Sequence, residues 1–137
     1  MSTLNQNFKK LSLKKKAHSR TPALEKNPQK KGTVKRARIV TPRKPNSARR
    51  PVAKTFLSNK KRITAHIPGV GHNIRSHSGV LIRGGGSRDL PGVRYSCIRG
   101  KYDFASINKN RRRSLYGAKK PLPTSGVKKV RRKHRFH

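Results

Sequence analysis

The sequence predicts a mainly β protein: a small closed barrel of five short strands, set between a basic N-terminal extension and a basic C-terminal tail. Three observations carry this expectation. Residues 32–100 hold five short apolar runs with strand-like alternation and no convincing helical period. Glycines and prolines punctuate those runs. Leu, Ile, Val and Phe are denser there than in the flanks, so the middle can bury a core while the ends need a partner to order them. Closure follows from the cost of open edges, which invite pairing with other chains. The expected division is an extension over residues 1–31, a barrel over 32–100 and a tail over 101–137.

Taken in order, Leu4, Phe8 and Leu11 recur at the spacing of one face of a short helix. From residue 17 to 31, two prolines and weak periodicity read as an extended charged arm. A weaker strand over residues 34–40 opens the barrel. The next, over 52–57, sets Val52 and Phe56 on one face, and Asn59 and Lys60 make the turn that follows. In the third, over 63–67, Ile63, Ala65 and Ile67 oppose Thr64 and His66. A fourth spans residues 80–83, and a fifth, over 93–98, sets Val93, Tyr95 and Cys97 on one side. Beyond Gly100, cationic runs with few apolar residues form the tail.

Charge narrows the function classes. The 137 residues carry 38 Lys and Arg against three acids, Glu25, Asp89 and Asp103, for a net +35. Such self-repulsion calls for a polyanion, and basic residues in every segment suggest a chain that wraps through its partner. A membrane surface would also attract this charge. No run approaches the ~20 apolar residues that cross a bilayer, and no long amphipathic helix is present to lie on one. Nucleic acid is therefore the expected partner, with no membrane role.

Catalytic chemistry finds no footing. Gly84, Gly85 and Gly86 are followed by Asp89 and Pro91, where a phosphate-binding loop needs Lys and Ser or Thr. His66, His72 and His77 lack the cysteine or carboxylate partners of a metal site, and they suit hydrogen bonds to phosphate, ribose or a partner protein. Cys97, the single cysteine, reads as a small core residue, and Glu25 and Asp103 read as ion-pair members. No catalytic set, metal or cofactor is expected.

One segment departs from bulk charge. In TPRKPNSA, residues 41–48, Pro42 and Pro45 pre-shape a loop whose tips, Asn46 and Ser47, are neutral. These side chains cannot neutralise phosphate. They can donate to and accept from ribose 2′-hydroxyls and minor-groove edges of A-form RNA. An ordinary turn has the same composition.

Five segments carry a family resemblance: PALEKNPQKKG at 22–32, TPRKPNSA at 41–48, HIPGVGHN at 66–73, LIRGGGSRDLPGVRY at 81–95 and SLYGAKKP at 114–121. Together they resemble small-subunit ribosomal protein twelve, in order, over roughly residues 1–121. The resemblance implies an oligonucleotide-binding (OB) barrel, no enzymatic activity, and a place at the decoding centre of the small ribosomal subunit. It implies that Pro45, Asn46 and Ser47 contact the codon–anticodon helix at the aminoacyl-tRNA site. Arg43, Lys44, Arg49, Arg50 and Arg88 would hold rRNA phosphates. Arg88, Asp89, Leu90 and Pro91 would form a second decoding-centre loop, with Asp89 matching an aspartate β-methylthiolated in bacterial members. His77 would face the subunit interface where elongation factors dock, and neighbouring ribosomal proteins complete the partners.

Departures from the family pattern lie at Arg43, where Lys is usual, at Arg88, and at Arg49-Arg50-Pro51 after the loop. The AHIPG and GHN runs and the basicity resemble mitochondrial members. A start in register with the family is expected of an organelle-encoded copy on the mitochondrial ribosome, with a plastid or bacterial copy as the alternative. The competing function is a free RNA chaperone or nucleoid-type protein, for which charge alone would suffice.

Overall fold

The computed structural model describes residues 2–10 and 18–121. Its centre is the expected closed five-stranded barrel. The strands are β1 (Gln29–Val40), β2 (Arg50–Leu57), β3 (Arg62–His66), β4 (Gly79–Gly84) and β5 (Tyr95–Ile98), and they close in the order β1-β2-β3-β5-β4. All pairings are antiparallel except β3 with β5. This connectivity is that of an OB barrel. β1 spans two neighbours: its first residues pair with β4 from Gln29↔Arg83, and its last pair with β2 up to Val40↔Arg50. Gly32 allows that double duty, because a Cβ there would lie 2.9 Å from the Phe56 carbonyl oxygen.

Alternation fills the interior. Val34, Ala53, Leu57, Ala65, Ile67, Val80, Ile82, Tyr95 and Cys97 are buried in one cluster with Phe104. Ile63, Ala65 and Ile67 face this core as expected. In β2, Val52 and Phe56 share a face as expected, and it is the outer one, while Ala53, Thr55 and Leu57 point inward. The alternation was legible, but its polarity was not, since a loop covers Val52 from outside. Burial pushes the Cys97 thiol up to about 12, which suits a core residue and not a nucleophile.

Two further differences concern the ends. The segment expected to be an extended arm contains a 3-10 turn, Pro22–Leu24, whose Ala23 and Leu24 join the core. The Ala23 N–H donates to the Tyr95 hydroxyl (3.0 Å), and Asn59 Nδ2 donates to the Ala23 carbonyl (2.9 Å). Glu25 then pairs with Lys30 (2.6 Å) and Lys61 (2.9 Å), which hold its carboxyl down at about 2. The short helix α1 (Leu4–Lys10) is present with Leu4 and Phe8 exposed; Leu11, and the tail over 122–137, lie outside the described residues.

Asp103 forms no ion pair among the described residues, contrary to expectation. Its carboxylate accepts the Gly79 N–H (2.6 Å), fixing the start of β4. Arg99, 9% exposed, does what sequence could not show: Nε donates to the Pro68 carbonyl (2.8 Å), another nitrogen reaches Gly71, and the guanidinium stacks on Phe104 at 4.2 Å. It thereby pins the β3–β4 loop.

Tyr95→Phe should leave the buried Ala23 N–H without its acceptor, at a cost of about 1–3 kcal/mol. Hydrogen exchange of the Ala23 amide is expected to accelerate roughly tenfold or more. An unchanged rate would show that this bond does not hold the turn.

Candidate nucleic-acid interface

Two loops meet over the outer face of β2. The β1–β2 loop occupies residues 41–49. Pro42 is buried and roots it, whereas Arg43 through Arg49 are exposed. The Lys44–Pro45 peptide is cis, and the Asn46 N–H donates to the Arg43 carbonyl (3.1 Å), closing a tight turn. Among the described residues the side chains of Asn46 and Ser47 make no hydrogen bond, so their donors and acceptors remain available to a partner.

The β4–β5 loop occupies residues 85–94. It is closed by the Gly85 N–H donating to the Arg94 carbonyl (3.0 Å). Gly86 is required by close approach, as a Cβ there would sit 1.9 Å from the Val93 carbonyl oxygen. Leu90 and Val93, 3% and 8% exposed, pack with Val40 onto Val52. This second apolar cluster anchors the loop to the barrel wall, each buried side chain contributing about 1.5–3 kcal/mol. Leu90 is thus the anchor of its loop, leaving Arg88 and Pro91 exposed beside it.

Asp89 joins the two loops. Its backbone carbonyl accepts the Arg43 N–H (2.8 Å), its Oδ2 pairs with Arg50 Nε (2.5 Å), and its Oδ1 accepts the Ser87 hydroxyl. The Asp89 side chain is 8% exposed and that of Arg50 40%. Hydrogen bonds from Ser87 and then Arg50 hold the Asp89 carboxyl below the usual carboxylate range. Arg50, expected to hold phosphate, is therefore already engaged with a carboxylate.

The structure brings Pro45, Asn46, Ser47, Arg43, Lys44, Arg49, Arg88, Asp89 and Pro91 into this one pair of loops. The OB fold uses the same two loops, with its strand 2–3 face, to bind oligonucleotides. His77 stands apart: its N–H donates to the Val34 carbonyl (2.7 Å), six residues and about 20 Å of strand from the end of β1 at Val40. His66 is half-buried, and desolvation lowers its pKa, which favours the neutral ring.

The geometry agrees with comparisons to known proteins. A family model described as Ribosomal protein S12/S23 matches residues 17–132, reaching further into the tail than the sequence motifs do. The chain is 58% identical over 139 aligned residues to the small ribosomal subunit protein uS12m of Paramecium tetraurelia, covering 98% of this chain and 96% of that one.

Because folding depresses the Asp89 pKa, its contribution is present above the unfolded carboxylate value, near 4. It is lost as pH falls through the lower folded value. Asp89→Asn should speed exchange of the Arg43 amide several-fold at pH 7, after correction for intrinsic rates. The unsubstituted chain should loosen in the same way only on acidification below about pH 4. Identical protection of Arg43 in both proteins at neutral pH would contradict the link.

Proposed function

Since this chain belongs to the ribosomal protein S12/S23 family, we propose that its paired loops form a decoding element within the small subunit. As a family member it is a structural, non-enzymatic constituent of the small ribosomal subunit that binds rRNA, and it works on the mitochondrial ribosome. Family membership also sets aside the free RNA chaperone as its principal role.

The observation that carries the decoding proposal is the division of chemistry within the loop pair. Cations Arg43, Lys44, Arg49 and Arg88 surround two neutral tips, Asn46 and Ser47, whose side chains are unpaired among the described residues. A decoding element must accept every correct codon, so it has to test the shape of a short RNA helix and not base identity. Contacts to 2′-hydroxyls and minor-groove edges do this. The cations fix the loops on rRNA phosphates, and correct geometry then favours a closed state of the subunit by population shift. Asn46 and Ser47 monitor the codon–anticodon helix at the aminoacyl-tRNA site, with Pro45 setting their approach. Arg88, Asp89, Leu90 and Pro91 support them from the β4–β5 loop, where Asp89 is the candidate for modification. His77, remote from the loops, faces elongation factors at the subunit interface. The segments before Pro22 and after Phe104 extend the rRNA contacts beyond the barrel.

Asn46→Ala is expected to change codon misreading in a mitochondrial reporter at least several-fold while the subunit retains one copy of the protein. Lys129→Ala, which removes one of many phosphate contacts, should leave misreading near its normal level. Equal effects from the two substitutions would remove the case for a specialised loop.

A further inference from the structure

The outer surface of β1, β4 and β5 lies around the barrel from the β2–β3 face. Register fixes what it shows. Val80, Ile82 and Cys97 turn into the core, so Lys31, Leu81 and Ile98, paired in one cross-strand row, turn outward, with Thr33 and Gly79 in the next row. Residues 101–104 fold back over this face as a tight turn. The Phe104 N–H donates to the Lys101 carbonyl (3.2 Å), the Gly100 N–H donates to the Phe104 carbonyl (2.8 Å), and Phe104 is fully buried. Gly79 clasps the tip: its N–H donates to the Asp103 carboxylate (2.6 Å), and its carbonyl accepts the Asp103 N–H (3.1 Å). One ring of the turn is thus sunk in the core. The other, Tyr102, is left 57% exposed, with Lys31 Nζ 4.9 Å from its ring centre.

Tyr102 holds φ at +52° and His77 at +67°, a left-handed backbone that bulky side chains rarely adopt. Such conformations persist only where the surrounding structure enforces them, and they cluster at functional sites. The two residues lie close together. A Cβ on Gly79 would stand 3.8 Å from Tyr102 Cβ, and the two-residue step from Gly79 to His77 spans at most about 7 Å. We propose that Tyr102, flanked by Lys31 and Lys101, is the anchor of a docking surface that continues from His77 and receives a carboxylate-bearing patch of an elongation factor. The proposal rests on His77 facing elongation factors, and it assigns the chemistry that the factor presents.

Charge and apolar surface together select an acidic protein. The Asp103 carboxylate is turned onto the Gly79 N–H, and Lys31 and Lys101 have no carboxylate partner among the described residues. Leu81 and Ile98, half-buried, add aliphatic surface beside them. Such surface gains by burial against protein side chains, and it offers RNA neither a hydrogen bond nor a stacking plane. Tyr102 joins a large apolar ring to a hydroxyl, the combination enriched at the anchors of protein interfaces. Its turn is fixed before contact, so little ordering remains to oppose docking.

Carbodiimide crosslinking of mitochondrial ribosomes, with and without bound elongation factor, tests this. The reagent joins lysines to carboxylates in contact, and the internal Lys30–Glu25 link expected in every sample marks a working reaction. Links from Lys31 or Lys101 to the factor are expected only when it is bound, together with protection of His77 from diethyl pyrocarbonate. Tyr102→Gly removes the ring where the backbone suits glycine. It should weaken factor binding roughly tenfold or more, with one copy of the protein per subunit and unchanged exchange protection of the Gly79 amide. Tyr102→Phe should bind the factor normally. Faster exchange at Gly79 in the glycine variant would mark Tyr102 as a structural residue and overturn the proposal; should that variant assemble poorly, the crosslinks on the unsubstituted chain decide. His77 protection without links to the factor overturns this surface and leaves the reading of His77 standing. Links without His77 protection uphold the surface and overturn that reading. Links from either lysine to a ribosomal protein instead, or an ultraviolet adduct of RNA on Tyr102, overturn the proposal.

Discussion

The junction at Asp89 is the constraint on which the interface depends. A loop of exposed cations and two short polar tips has no reason to hold a shape by itself. Here it is tied through one residue: the Asp89 carbonyl takes the Arg43 N–H and its carboxylate takes Arg50 and Ser87. Beneath that polar junction Leu90 and Val93 seat on Val52, so the second loop is anchored by apolar burial and the first is anchored to the second. Ordering both loops beforehand lowers the entropy to be lost on meeting RNA. The geometry presented by Asn46 and Ser47 is thus set by residues that sit behind them.

The three acids show how a chain of net charge +35 uses its few anions. Glu25 draws Lys30 and Lys61 onto the turn that closes the barrel against Ala23 and Leu24. Asp103 fixes the first residue of β4, and Asp89 joins the loops. Each carboxylate is spent inside the protein, on backbone or on a cation that must be positioned. What faces outward is therefore almost wholly cationic, which supplies affinity for rRNA; in the decoding proposal, discrimination falls to the neutral side chains on the loops.

Much of this was legible in the sequence. Period-2 alternation in β3, turn residues at Asn59 and Lys60, and glycine punctuation gave the barrel, and the two prolines with Asn46 and Ser47 marked the loop. What sequence could not give depends on tertiary partners. Val52 and Phe56 alternate like core residues, yet they face outward, because a loop forty residues on covers one and leaves the other half-buried. Ala23 and Leu24 lie in a polar segment and are recognised as core only once Tyr95 and Asn59 reach them. Arg99 reads as one cation among many until the carbonyls of Pro68 and Gly71 surround it. Arg50 reads as one more loop cation until Asp89 is found beside it.

The central claim is that the neutral tips read RNA shape from a scaffold held by Asp89. A cryo-electron microscopy map of the mitochondrial small subunit with cognate tRNA in the aminoacyl site addresses it most directly. The account predicts Asn46 or Ser47 within hydrogen-bonding distance of a 2′-hydroxyl or minor-groove atom of the codon–anticodon helix or its rRNA monitors, with the Arg50–Asp89 pair intact. A map in which those side chains contact only protein or solvent while the cations alone touch RNA would contradict it.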